Sequence, residues 1–490
     1  MLERLSPGTD IGGFCIGECI HSGAMGHILS VTRMDRFAKM VMKVPRVGAA
    51  ESAEGLLGFE TEAMILPALS GPHVPRFVAA GDIADTPYLV MEMIAGESLD
   101  QALARGVLPA ADVARIGAAI ADAVHSVHLQ DAIHLDIKPE NVILKPNGTA
   151  ALIDFGLAHH ARYPDLLAEE KRFASGSAPY ISPEQVLGTR SDSRSDIFSL
   201  GVVLYEMATG DLPFGTPATL AGLRDRLWLD PVPPSARSPG IPPWLQEIIL
   251  RCLEARSDAR YQSAAQVAFD LRNPDQVRLT ARATKSTRAG LLTQARRWWN
   301  ARAEHPVSSR RPNVQAGVAP IIMVAVDTTH PNDERQPALQ RTIAQVLSLS
   351  AEFRLVCVSV IRAGPVAESN SETERAPGIH LEHLVRLRHW VEPLRLPQQR
   401  LSLHVIEALS PADEILEFAR RNHADLIVLG APGPEQYALA WWRSVASAVT
   451  ANAHCSVHVV RVAGRQKDDE STPSDAPQDP EQGGAVRQDA

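Results

Sequence analysis

The stretch AIHLDIKPENVIL at residues 132–144, with LIDFGLA at 152–158 and GSAPYISPE at 176–184, decides how this chain is read. It places Asp136, Lys138 and Asn141 close together, and a second aspartate, Asp154, on the loop after a short apolar run. Transfer of a phosphoryl group needs few protein parts: a group that orients the acceptor hydroxyl, oxygen ligands for Mg²⁺, and cations against the phosphates. Taken singly, each of these residues fits a solvated turn such as Pro139-Glu140-Asn141. Their occurrence together, in this order, argues for the chemistry.

Upstream, apolar residues alternate in FCIGECI (14–20), HILSVT (27–32), KMVMKV (39–44) and YLVMEMI (88–94), the period of strands. One helix is expected between them, over 51–69, with Leu56, Phe59, Ala63 and Leu66 at helical spacing. From Ser98 onward the chain turns helical: 112–130 sets Val113, Ile116, Ile120, Val124 and Val127 on one face, and 199–209 and 244–253 repeat that character. Strands first and helices second indicate two lobes.

On these residues the chain resembles the eukaryotic-like serine/threonine protein kinases found in bacteria, over roughly residues 10–273. The resemblance implies an α+β bilobal kinase fold, with an N-lobe over about 10–93 and a C-lobe over about 94–273, and it assigns roles. Asp136 would accept the hydroxyl proton, Lys138 reach the transferring phosphate, and Asn141 and Asp154 hold Mg²⁺. Lys43, in MVMKV, would meet the α- and β-phosphates of ATP and pair with Glu62 of FETEA. Gly23, Gly26 and Ile28 fall in the glycine-rich loop, Met91 is the gatekeeper, and the backbone from Glu92 to Ile94 would face adenine. Glu184 would pair with Arg260, and Asp196 of SDIFSLG would brace the catalytic loop. The implied activity is transfer of the ATP γ-phosphate to Ser or Thr of protein substrates. The alternative is a pseudokinase scaffold that binds nucleotide and signals through the C-terminal part.

Three departures bear on that alternative. His21 stands where the family has its first loop glycine, which implies weakened ATP affinity. The family's His-Arg-Asp is His134-Leu135-Asp136, so the arginine that grips a phosphorylated activation loop is missing. Ser177 replaces a threonine and keeps its hydroxyl.

Beyond Asn273-Pro274 the residues 274–317 read as a basic linker, with arginines from Arg278 to Arg311 opposed only by Glu304. Leu291, Leu292, Ala295, Trp298 and Trp299 recur there at helical spacing; the stripe suits a helix docked on the C-lobe or second domain, or one lying on an anionic membrane. Over 318–463, IIMVAVD, FRLVCVSVI, RLSLHVIEA, DLIVLGAP and SVHVVRV alternate with helical segments, the clearest over 411–422. That pattern indicates a flavodoxin-like or Rossmann-like parallel sheet covered on both faces. It resembles the universal stress protein domains, whose ATP-binding members carry G-x2-G-x9-G-S/T. Here Gly430, Gly433 and Ser444 fit, Arg443 replaces the third glycine, and Asp327 matches the acidic residue near the nucleotide. Glycines at a strand-to-helix turn explain the same residues without any ligand. The resemblance implies a nucleotide-sensing, regulatory or homodimerising module; residues 464–490 read as a disordered tail.

Composition narrows the rest. A net charge of −9 gives no general attraction to nucleic acid, and no apolar run reaches the length of a membrane span. The start MLERLSPGTD lacks the features of a signal peptide, so a cytoplasmic protein is expected. Cys15, Cys252, Cys357 and Cys455 sit in apolar stretches and read as core residues, and Cys15 and Cys19 have no second pair to complete a zinc site. His159 and His160 read as surface residues.

Overall fold

The computed structural model of the chain describes residues 6–23, 26–33, 36–46, 53–81, 87–170, 176–287, 320–330, 333, 335–348, 353–362, 379–397, 400–422, 424–431 and 445–461. The first part is an antiparallel sheet of β1 (Asp10–Ile11), β2 (Phe14–Gly23), β3 (Gly26–Arg33), β4 (Arg36–Val44), β5 (Phe77–Ala80) and β6 (Leu89–Glu92), in the order β1-β2-β3-β4-β6-β5. Alternation sends Phe14, Ile16, Leu29, Val31, Met40 and Met42 into one small core. The same alternation corrects the reading of Cys15: flanked by inward Phe14 and Ile16, it is exposed. Cys252 and Cys357 are buried as expected, and Cys455 is half-buried. Strand β5 was not legible, because FVAA lacks alternation and lies at the sheet edge.

Helix α1 (Ala53–Ile65) forms where expected. It gives way to a 3-10 turn at Leu66–Ala68, since Pro67 fits only the first positions of a turn. The second lobe adds β7 (Glu97–Ser98), α2 (Leu99–Leu103), α3 (Ala110–His128), β8 (Ala132–Ile133), β9 (Val142–Leu144), β10 (Ala150–Leu152), β11 (His159–His160), α4 (Leu166–Glu170), α5 (Pro183–Val186) and α6 (Arg194–Thr209). It continues with α7 (Leu220–Arg224), α8 (Pro234–Arg237), α9 (Pro243–Cys252) and α10 (Ala264–Arg272).

The apolar face of α3 is fully used: Val113, Ile120, Val124 and Val127 are completely buried. Each such side chain stabilises by about 1.5–3 kcal/mol relative to exposure. Gly117 lets α3 close on α6, since a Cβ there would lie 2.4 Å from Leu204 Cδ2. Gly210, at φ 74°, ends α6 in a left-handed cap. His159 and His160 depart from the surface reading: β11 pairs with β8 and buries both. Of the stretch read as linker, residues 274–287 pack on this lobe. Thr280 and Arg282 bond Glu247, and Lys285 pairs with Asp230. The apolar stripe from Leu291 to Trp299 and the tail lie outside the described residues.

The C-terminal part is a parallel sheet of β12 (Ile321–Ala325), β13 (Arg354–Arg362), β14 (Leu401–Ala408), β15 (Leu426–Ala431) and β16 (Ser456–Arg461), in the order β14-β13-β12-β15-β16. Helices α11 (Arg335–Ser348) and α12 (Ile379–Val391) cover one face through Leu339, Ile343, Leu384 and Leu387. Helices α13 (Pro411–Arg421) and α14 (Val445–Asn452) cover the other through Ile415, Phe418, Ala446 and Val449. The strand order reverses beside β12, the place where open parallel sheets offer a crevice.

Candidate active site

Register on the first sheet puts Lys43 opposite Ile28 of β3 and Leu89 of β6, so its side chain leaves β4 toward α1. There Lys43 Nζ donates to Glu62 Oε2 at 2.6 Å and to Asp154 Oδ1 at 2.8 Å. Burial alone would depress the Lys43 pKa, but the carboxylates of Asp154 and Glu62 more than offset it and raise it. Burial likewise opposes ionisation of Asp154, and Lys43 overcomes that, holding its carboxyl well below the usual range. Lys43 is therefore an ammonium facing the Asp154 carboxylate, and beside it burial, only partly offset by the Lys43 charge, raises the Glu62 pKa. Glu62 also accepts from the backbone N–H of Phe155 at 3.1 Å, which ties α1 to the loop carrying Asp154. The two approach closely at Gly58 and Gly156, where a Cβ on Gly58 would stand 3.3 Å from Gly156 O.

A second cluster forms around Asp136. Lys138 Nζ lies 2.9 Å from Asp136 Oδ2 and donates to Ser177 Oγ at 2.9 Å. The Ser177 N–H donates to Asp136 Oδ1 at 3.1 Å, and Asn141 Nδ2 donates to Asp136 Oδ2 at 3.0 Å. The expected bracing is present: Asp196, fully buried, accepts from His134 N–H at 2.9 Å and from Leu135 N–H at 2.8 Å. It also meets His128 Nε2 at 2.8 Å. Leu135 and Asp154 hold φ of 62° and 65°, a left-handed conformation costly for residues with a Cβ. Arg260 forks onto Glu184 at 2.6 and 2.8 Å as expected.

The glycine-rich turn pairs Gly23 with Gly26 between β2 and β3. Gly26 is at φ 135°, and a Cβ there would lie 2.3 Å from Val44 O, so only glycine fits. His21 folds over this turn, its Nε2 2.8 Å from where a Gly23 Cβ would be. Met91 is buried on β6, with Glu92 and Ile94 half-buried after it.

Sequence reasoning missed two arginines. Arg190 Nε donates to both oxygens of Asp165 at 3.0 and 2.9 Å, and its Nη2 to Leu157 O at 2.8 Å. Arg226, 1% exposed, donates to Ala178 O at 2.9 Å and to Ile181 O, holding the backbone after Ser177. An arginine in an unremarkable loop carries no signal of burial.

In the C-terminal domain a cavity of about 480 Å³ opens at the strand ends and is lined by Asp327, Thr329, Arg335, Arg362, Gly430 and Pro411. Burial would raise the Asp327 pKa, but Thr329 and His330 hold it low; Thr329 N–H donates to Oδ1 at 2.9 Å and His330 Nδ1 lies 3.0 Å from Oδ2. Asp327 and Gly430 thus share one cavity, with Arg335 against Gly430. Gly433, Arg443 and Ser444 lie outside the described residues.

The family model described as protein kinase domain matches residues 14–269, and that of the universal stress protein family matches residues 320–461. A probable serine/threonine-protein kinase of Clostridium perfringens is 31% identical over 257 residues, 52% of this chain and 37% of its own length. The serine/threonine-protein kinase PknB of Mycolicibacterium smegmatis is 32% identical over 262 residues, 52% of this chain and 42% of its own. The chain thus covers well under half the length of these relatives. Among solved structures, the PknI kinase domain of Mycobacterium tuberculosis is similar with a TM-score of 0.44 at 23% identity, covering 55% of this chain and 98% of that one.

Proposed function

The chain belongs to the protein kinase family, and from that premise we propose that it transfers the γ-phosphate of ATP to serine and threonine hydroxyls of proteins. The observation that carries the reading is the simultaneous closure of two clusters, Lys43 with Glu62 and Asp154, and Asp136 with Lys138 and Ser177. A scaffold with no catalytic task has no need of both.

The residues suit a magnesium nucleotide. The turn at Gly26 admits no side chain, so backbone can approach phosphate there, and Asp154 and Asn141 offer the hard oxygen donors that Mg²⁺ takes. When bound, Mg²⁺ neutralises charge on the phosphates. Lys43 holds the α- and β-phosphates, with Glu62 fixing its ammonium. The backbone of Glu92 to Ile94 would face the adenine, and Gly23 and Ile28, on β2 and β3, would belong to the loop over the nucleotide. Asp136 orients the acceptor hydroxyl and takes its proton as the oxygen bonds to γ-phosphorus and the bond to the ADP oxygen breaks. Lys138 stabilises the transferring group, and Ser177 keeps Lys138 and Asp136 in register. No described helix is long and apolar enough to cross a membrane, which fits action in the cytoplasm. The test is incorporation of labelled phosphate from ATP and Mg²⁺ by wild type beside Lys43→Met. Equal incorporation by both would end the proposal.

The C-terminal cavity supports a second reading, a nucleotide-sensing site with Asp327 and Gly430. Arg335 and Arg362 at its wall are the charges a phosphate would meet. In a full chain carrying Asp154→Asn to silence the kinase site, millimolar ATP should still raise the thermal midpoint. Adding Asp327→Ala should remove that shift; no shift in the parent would leave a passive or homodimerising module, with β16 at one edge of its sheet.

A further inference from the structure

Helix α4 lies between the loop carrying Asp154 and the Ser182-Pro183-Glu184 stretch, in the segment that must be ordered for substrate to bind. Its Leu166 and Leu167 are buried in the kinase core. Its Glu169 points the other way, into the C-terminal domain, and is only 6% exposed. There His404 of β14, itself completely buried, lies with Nε2 2.6 Å from Glu169 Oε2, and Arg354 of β13 pairs with Oε1. The end of α13 closes on the same residue: Arg421 Nη2 donates to Glu169 O at 2.9 Å and Asn422 Nδ2 at 3.2 Å. The last carbonyls of a helix have no partner inside it, so these donors cap α4 from another domain. The domain also meets α1, where Leu56 packs against its apolar cluster. Helix α1 carries Glu62, so one domain touches both elements that assemble the site.

We propose that Arg354, His404, Arg421 and Asn422 form a docking surface for the chain's own activation segment, and that docking through Glu169 holds the catalytic arrangement. The proposal rests on the kinase reading above and names the regulation of that site. Docking and closure occur together: with Glu169 engaged, Lys43 reaches Glu62 and Ser177 reaches Asp136. The surface supplies the fixed cations that Leu135 cannot. A carboxylate of the segment, not a phosphate, meets these groups, and they sit on a separate domain.

The test uses the full chain, with myelin basic protein as phosphate acceptor and hydrogen exchange over 161–190 as a second readout. Glu169→Ala, and separately Arg354→Ala with Asn422→Ala, should each lower kcat at least about five-fold, the lower end of coupling between sites. Both should raise exchange in that segment. Combining them should cost no more than either alone, because they remove one contact. Glu417→Ala, on the exposed side of α13, should match wild type. Unchanged exchange in Glu169→Ala would overturn the docking, and raised exchange with an unchanged or faster rate would overturn the control. A wild-type chain with no transfer activity would sink the kinase reading instead, while exchange would still judge the docking.

Discussion

Arg190 and Asp165 form a buried ion pair that joins the start of the activation segment to the loop after α5, with the guanidinium also bonded to Leu157 O and Ala158 O. Burial opposes ionisation of Asp165, yet Arg190 and His159 hold its carboxyl far below the usual range. Arg190→Ala would leave that carboxylate buried without its partner, a loss of about 3–5 kcal/mol. Denaturant unfolding at neutral pH should show it, and Asp165→Asn with Arg190→Ala together should lose less than Arg190→Ala alone. The sign with pH follows from the lowered value. The contribution of Asp165 is full above its unfolded pKa of about 3.9 and is lost as pH falls toward the folded value. The stability gap between wild type and Asp165→Asn should therefore stay constant from neutral pH down to roughly 5 and shrink below about 4.

Asp136→Asn should lower turnover by at least about 10²-fold while ATP binding persists, since it removes the group proposed to orient the hydroxyl. Asp154→Asn should also lose Mg²⁺-dependent nucleotide binding, because it takes away the negative charge on that oxygen donor and the carboxylate that faces Lys43. Labelled-phosphate transfer and nucleotide titration separate the two. Wild-type rates in both variants would contradict the assigned roles.

The grouping of Asp136, Lys138, Asn141 and Asp154 was legible because these residues sit within short motifs of fixed order. The strands that carry Lys43 were legible because alternation has one meaning on a half-buried sheet. Cys15 shows the limit, since an apolar run was read as core when its period put every second residue outside. His159 and His160 show another, because pairing of β11 with β8, 26 positions back along the register at His159 and Ile133, is a tertiary fact. Arg190, Arg226 and Glu169 were invisible for the same reason. A charged residue reads as solvated until its partner, distant in sequence, is seen to bury it.

Activation is expected without phosphorylation of the loop. Leu135 stands where a phosphate-gripping arginine would be, and it is 1% exposed, packed as a core residue with its N–H on Asp196. It has no hydrogen-bond donor to offer a phosphate. Asp165 and Arg190 already order the first half of the segment. Fully dephosphorylated protein should then phosphorylate an exogenous substrate without a lag, and Ser175→Ala should keep most of the wild-type rate. A lag that disappears on autophosphorylation, or a Ser175→Ala rate of a few per cent, would count against this.

The contact between Gly58 and Gly156 sets how near α1 comes to the Asp154 loop. Gly58 and Gly156 face each other backbone to backbone, and a Cβ on Gly58 would stand 3.3 Å from Gly156 O. That is tighter than ordinary packing, so Gly58→Ala asks for a shift of a few tenths of an ångström, which the improved helix propensity partly offsets. Gly58→Val adds two further carbons on the same vector. Helix α1 must then swing away, and it carries Glu62, whose bond to Lys43 is 2.6 Å and whose other oxygen accepts from Phe155 N–H. A displaced Glu62 leaves Lys43 facing Asp154 alone and unties the loop. Gly58→Val should therefore lose kcat by at least ~10-fold, since a shift of about 1 Å in positioned groups can cost up to 10². Gly58→Ala should stay near wild type, and both should keep a cooperative thermal transition. If Gly58→Val turns over like wild type, the closeness of α1 to this loop does not govern the site.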